Sequence, residues 1–251
     1  MLTLVLGGGA AWGLAHVGVV EVLREEGLSI DLIVGTSVGA IIGSFVAAGI
    51  ETDAIKEMVS DITWADLGRL TMPHLGFADS SEIEAMVEEM IGKGRTFDEL
   101  EIPLKVIATD VIRGEQVVLD WGPLAPAIRA SASIPVLFTP VELEDILLVD
   151  GGVVNNLPVD VAIDAGATKV IAVELAHPLP HEAPGNPAEL GFICYTIMQK
   201  YGMSLRAEEA DILLQPDFKG ISSLDLSAHE ELIQLGRDVA TEQIAAIRNL
   251  V

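Results

Sequence analysis

The chain has 251 residues, half of them hydrophobic and 21% charged, with a formal net charge of -24 at pH 7. That length suits a single folded domain spanning 1–251, and the apolar composition excludes a disordered chain. The acidic excess argues against nucleic acid or anionic headgroups as steady partners, because their phosphates would be repelled; at most a transient contact with a membrane surface is expected.

The nearest thing to a spanning segment, Ile41 to Ile50, falls far short of the roughly 18 to 20 apolar residues that a transmembrane helix needs. The opening MLTLVLGGG has no basic n-region, so the mature chain is read as starting at Met1 with no secretory signal. The one cysteine, Cys194, excludes an internal disulfide framework and a Cys-rich metal site, and cytoplasm is the expected compartment.

In chain order, Leu2 to Leu6 reads as a first strand, followed by the glycine loop Gly7-Gly8-Gly9. Leu14 to Glu26 carries apolar residues at helical spacing and stops at Gly27. Leu32 to Val34 is a short strand and Val38 to Ala48 a helix ending at Gly49, which leaves Ser37 on the turn between them. Residues 51–100 read as helical with a break at Met72-Pro73-His74. Leu104 to Thr109 is a buried strand, and Gln116 to Leu119 a further strand paired with it as a hairpin.

Ile146 to Val149 and Lys169 to Leu175 read as central strands, the first running into Asp150-Gly151-Gly152. The proline-rich stretch His177 to Pro187 is an irregular surface loop expected to border a substrate entrance, and 189–251 supplies closing helices and one strand, Asp211 to Leu214. Strands alternating with helices predict a three-layer α/β/α fold around a mostly parallel sheet. No internal repeat is present.

Three features carry chemistry. Gly35-Thr36-Ser37-Val38-Gly39 fits the G-x-S-x-G elbow, in which glycines two positions either side of the serine relieve crowding at a sharp strand-to-helix turn. The hydroxyl is thereby exposed at a helix N-terminus, where negative charge is favoured. The glycine loop leaves backbone N–H groups uncovered, able to stabilise an oxyanion or hold a phosphate. It lacks the third glycine of a dinucleotide fingerprint and the Lys-Ser/Thr pair of a P-loop.

No histidine among His16, His74, His177, His181 and His229 stands in an obvious triad position, so Asp150 is the better base. It ends an apolar strand and is followed by Gly151 and Gly152, which let the backbone bend and keep the carboxylate approachable. A carboxylate is a weak base for a hydroxyl, so it must touch the serine in a partly desolvated pocket. His16, Asn155 and Asn156 read as core, capping or turn residues, and Arg129 to Pro135 as a packing segment at the sheet edge.

With these residues in hand the chain resembles the patatin-like phospholipase family, in its short bacterial form. The likeness rests on the glycine loop running into Gly13-Leu14-Ala15-His16-Val17-Gly18, the Ser37 elbow, Arg129 to Pro135, Asp150-Gly151-Gly152, and Ala210 to Asp217. The resemblance implies a Ser-Asp dyad of Ser37 and Asp150 without histidine, an oxyanion hole from the amides of Gly8, Gly9 and Ala10, and hydrolysis of fatty acyl esters of phospholipids, lysophospholipids or related lipids. It implies no metal and no cofactor. The family usually has glycine where Ala10 stands and a basic residue where Trp12 stands. Two other readings stay open: a nucleotide-binding α/β protein with Asp31 on the ribose, and a catalytically impaired relative that kept the fold for regulation.

Overall fold

Leu2, Leu4 and Leu6 of strand β1 (Leu2–Leu6) pack into one hydrophobic cluster and Val5 into another, as the two-residue period of a strand buried on both faces requires. The computed structural model describes residues 1–70, 75–175 and 183–250. After β1 come α1 (Ala15–Glu25), β2 (Leu32–Thr36), α2 (Val38–Ala47), α3 (Thr52–Ser60), β3 (Arg69–Leu70), β4 (Gly76–Asp79) and α4 (Ser81–Ile91). The middle of the chain forms β5 (Leu104–Asp110), β6 (Glu115–Leu119), α5 (Leu124–Ser131), β7 (Val136–Phe138), β8 (Val141–Leu143) and β9 (Ile146–Asp150). The last third forms α6 (Val159–Asp164), β10 (Lys169–Val173), α7 (Pro187–Arg206), β11 (Ile212–Leu214), α8 (His229–Glu242) and α9 (Ile244–Leu250).

The main sheet runs β11-β10-β1-β2-β5-β9-β8, with β6 paired to β5. The stretch from β11 to β5 is parallel, and β6, β9 and β8 join antiparallel. One face is covered by α1, α2 and α8 through residues such as Val17, Phe45 and Leu232. The other is covered by α6 and Met203 of α7, packed on Val5, Val34 and Ile107. The architecture is the three-layer α/β/α arrangement with a mostly parallel sheet.

The region 51–100 departs from the helical expectation. Between α3 and α4 lie β3 and β4, which join β7 in a three-stranded sheet. The register Gly76↔Val136 and Ala78↔Phe138 is made with a segment distant in sequence, so local periodicity carries no trace of it. The expected break at Met72-Pro73-His74 and the first part of the proline-rich loop, 176–182, lie outside the described residues.

Candidate active site

Strand β5 sets the level at which the two halves of the site meet. Thr36, the last residue of β2, pairs with Ile107, and Asp150, the last residue of β9, pairs with the next residue, Ala108, on the same edge of β5, the opposite edge being taken by β6. Because β2 runs parallel to β5 and β9 antiparallel, both strands stop beside the middle of β5. The two strands therefore end head to head on one edge of β5, which brings Ser37 and Asp150 together.

Ser37 has φ 57° and ψ -125°, a left-handed conformation that costs a non-glycine residue on the order of 1–3 kcal/mol and must be held by its surroundings. Those surroundings are specific. A Cβ on Gly39 would collide with the Leu6 carbonyl, and one on Gly35 would stand 2.6 Å from the Gly39 carbonyl oxygen, so only glycine permits this turn. The Ser37 N–H donates to Ser131 Oγ at 2.9 Å, and Ser131 Oγ donates to the Ile107 carbonyl at 2.6 Å. The Thr36 hydroxyl donates to the Asn155 carbonyl at 2.9 Å. Arg129 to Pro135, expected only to pack at the sheet edge, thus holds the elbow directly, and the Ser133 carbonyl also accepts the Asp150 N–H at 2.9 Å.

Asp150 is fully buried. Its Oδ1 accepts the Gly152 N–H at 2.7 Å, while Oδ2 is buried without a hydrogen bond of full geometry among the described residues. Burial pushes the carboxyl up from 3.8 to about 6, opposed by the Ser37 hydroxyl, the Gly152 amide and the Tyr195 hydroxyl. Ser37 and Tyr195 are therefore both close enough to act on the carboxylate. The result is a carboxylate that is ionised at neutral pH, poorly solvated, and more basic than an exposed aspartate.

The glycine loop differs in one donor from expectation. The Gly8 N–H is committed to the Asn156 carbonyl at 3.2 Å, because the loop is stitched to the segment following Gly151-Gly152. Asn156 completes the stitch by donating Nδ2 to the Gly8 carbonyl at 3.0 Å, so a residue read from sequence as a turn former clamps the loop. The N–H groups of Gly9 and Ala10 carry no hydrogen bond among the described residues. Ala10 has φ 50°, in the region that favours glycine. Trp12 is buried, stacked on Phe218 with ring centroids 4.3 Å apart, and its Nε1–H donates to the Ile221 carbonyl at 3.0 Å. Where the family's basic residue was expected, this side chain anchors the loop to the segment before α8.

His16 takes no part in the proton chemistry of the site. It is fully buried, its neutral Nε2–H donates to the Gly7 carbonyl at 2.8 Å, and burial lowers its pKa from 6.5 to about 4. His74, His177 and His181 lie outside the described residues. Asp31 stands before β2, at the opposite sheet end from the glycine loop, and its Oδ2 accepts the Leu2 N–H at 2.7 Å. That placement rules it out as a ribose acceptor. No group of three or more His, Cys, Asp or Glu positioned to hold a metal occurs among the described residues.

An apolar cavity opens beside Ser37. Its wall includes Ala10, Ile41, Met58, Ile62, Met86 and Phe138, and among the described residues none of the lining comes from 183–187. No described helix is long and apolar enough to cross a membrane.

Residues 4–163 match the family described as patatin-like phospholipase. An NTE family protein of Mycobacterium tuberculosis is 37% identical over 177 residues, covering 69% of this chain and 49% of that protein. Patatin-like phospholipase domain-containing protein 7 of Rattus norvegicus is 34% identical over 182 residues, covering 69% of this chain and 13% of its own. The chain thus spans half or less of these curated relatives. Among solved structures, VipD from Legionella pneumophila aligns over 98% of this chain and 66% of its own with a TM-score of 0.57 at 13% identity. The type III effector ExoU aligns over 97% of this chain and 52% of its own with a TM-score of 0.55 at 14% identity, and both likenesses concern the fold.

Proposed function

Since the chain belongs to the patatin-like phospholipase family, we propose that it is a serine acyl hydrolase in which Ser37 and Asp150 act as a dyad on fatty acyl esters of phospholipids, lysophospholipids or related lipids. The observation that carries this reading is the Asp150 carboxyl, wholly buried, with Oδ2 uncommitted and its proton affinity already set in part by the Ser37 hydroxyl. Of the two hydroxyls beside it, Tyr195 is held well above its ordinary pKa, which leaves Ser37, activated by attack on an ester, as the one to give up its proton.

In the proposed reaction Ser37 Oγ attacks the ester carbonyl carbon as its proton passes to Asp150. The carbonyl oxygen becomes an oxyanion facing the N–H groups of Gly9 and Ala10, a placement in which one lost donor typically costs about 3–4 kcal/mol of barrier. Collapse expels the alcohol, which leaves with the proton from Asp150, and Ser37 keeps the acyl group. Asp150 then takes a proton from water, whose oxygen adds to the acyl carbon. The second collapse returns the proton to Ser37 Oγ and releases the fatty acid. The base works ionised, so turnover is expected to rise with pH through about 6.

The apolar cavity supports a lipid acyl chain over a polar ester group. With a net charge of -24 the protein is expected to favour dispersed or soluble lipid esters over firmly anionic surfaces, and with Cys194 free we place it in the cytoplasm. Fatty acid release by the purified protein across lysophospholipids, phospholipids and simple esters tests the assignment. Release that Ser37→Ala abolishes supports it; no release from any of them favours the non-catalytic regulatory relative.

A further inference from the structure

Helix α7 lies beyond residues 4–163 that match the family, yet it brings two polar side chains onto the Asp150 turn. A Cβ on Gly152 would stand 2.5 Å from the Tyr195 hydroxyl oxygen and would collide with Gln199 Nε2, so the turn must be glycine for the helix to approach. Tyr195 and Gln199 are buried, one helical turn apart on the same face. Gln199 Nε2 donates to Asn156 Oδ1 at 3.0 Å, and Asn156 in turn holds the Gly8 carbonyl. One helix face therefore reaches both the turn that carries the base and the clamp of the oxyanion loop.

We propose that Tyr195 is a positioning residue for the base: its hydroxyl donates to the Asp150 carboxylate and holds it toward Ser37. The inference rests on the acyl hydrolase reading of Ser37 and Asp150 given above. Asp150 is approached by Ser37 from the elbow, by the Gly152 amide from its own turn and by Tyr195 from α7, with no charged side chain among the groups that shift it. Strand β5 contributes the Thr109 hydroxyl, which donates to the Asp150 carbonyl, and the segment after α5 contributes the Ser133 carbonyl. Neither touches the carboxylate through a titratable group. Burial, and then the Asp150 charge, push the Tyr195 phenol well above its ordinary 10, so it remains protonated and able to donate throughout the working range. A donor to the ionised form lowers the pKa of its partner, and its removal raises it.

The test compares Tyr195→Phe with the parent in two readouts. The first is the pH dependence of kcat/KM on a short p-nitrophenyl ester; the second is the Asp150 carboxyl titration by carbon-13 NMR, assigned by its loss in Asp150→Asn. Removing the donor is expected to move both midpoints up by about one unit, the equivalent of an ordinary hydrogen bond, so that activity at pH 6 falls roughly fivefold more than at pH 8.5. A merely structural tyrosine would lower activity evenly across pH and leave the carboxyl midpoint where it was, and that outcome overturns the proposal. Should Tyr195→Phe not fold, 3-fluorotyrosine at position 195, a stronger donor, must lower the carboxyl midpoint; an unchanged or raised midpoint overturns the proposal. The NMR readout needs no turnover, so an inactive parent would sink the hydrolase reading while leaving the Tyr195 to Asp150 contact separately decided.

Discussion

Ser131 Oγ accepts the Ser37 backbone N–H at 2.9 Å, tying the strained elbow to β5, the strand on whose edge Thr36 and Asp150 both pair. The same hydroxyl donates to Ile107, the residue that pairs with Thr36 in the sheet. Ser131→Ala leaves a buried N–H and a buried carbonyl short of a partner, at about 1–3 kcal/mol. For a domain of this size each 1 kcal/mol corresponds to roughly 2–4 °C, so thermal denaturation should show a Tm lower by several degrees. Reaction of Ser37 with a fluorophosphonate should slow in the same variant. An unchanged Tm together with unchanged labelling would show that the elbow does not depend on this contact.

Asp150 is expected to be a site where function opposes stability. Its carboxyl is raised from 3.8 to about 6, so the stability it contributes is fully present below about 4 and is lost as pH rises through 6. The shift of about two units corresponds to roughly 3 kcal/mol. Asp150→Asn, neutral at every pH, should therefore melt above the parent at pH 8, and the gap should close as pH falls toward 4. His16 runs the other way: its pKa is lowered to about 4, so its contribution is present above 6.5 and lost as pH falls. It is common to both proteins and cancels in the difference. Parallel Tm curves from pH 4.5 to 8.5 would contradict the burial of an ionised carboxylate.

Ala10 sits at φ 50° on the loop that presents the two uncommitted amides. A methyl group in that region costs on the order of 1 kcal/mol, partly offset in Ala10→Gly by the greater freedom of an unfolded glycine. The variant should be as stable as the parent or slightly more so, and its kcat should rise if the methyl tilts a donor. A fall in Tm beyond a few degrees would mean that the methyl packs favourably against the cavity wall and that the strain is illusory.

How far the sequence foretold the fold depends on the range of the interactions. The apolar runs of β1, β5 and β10 and the glycines at 35 and 39 are local signals, and the layers and the Ser37 elbow follow from them. The small sheet of β3, β4 and β7 is made by pairing across sequence, and the helical reading of 51–100 missed it. The same limit applied within the site. Gly8 looked like an oxyanion donor because nothing nearby in sequence competes for its amide, yet the Asn156 carbonyl accepts it from 148 residues away. Ser131 reads from sequence only as part of a packing segment at the sheet edge, and nothing local to Tyr195 or Gln199 ties them to Asp150 until the fold brings α7 to its turn. The spacing of Tyr195 and Gln199, four apart on one helix face, was the one available hint.

The most direct test of the dyad is fluorophosphonate labelling with mass spectrometric site mapping, run beside p-nitrophenyl ester hydrolysis for the parent, Ser37→Ala and Asp150→Asn. The parent should label at Ser37, faster as pH rises through about 6. Ser37→Ala should not label, and Asp150→Asn, though folded, should lose about 10²–10⁴-fold in both labelling and turnover. Full reactivity in Asp150→Asn, or labelling of the parent at a serine other than Ser37, would contradict the pairing of these two residues.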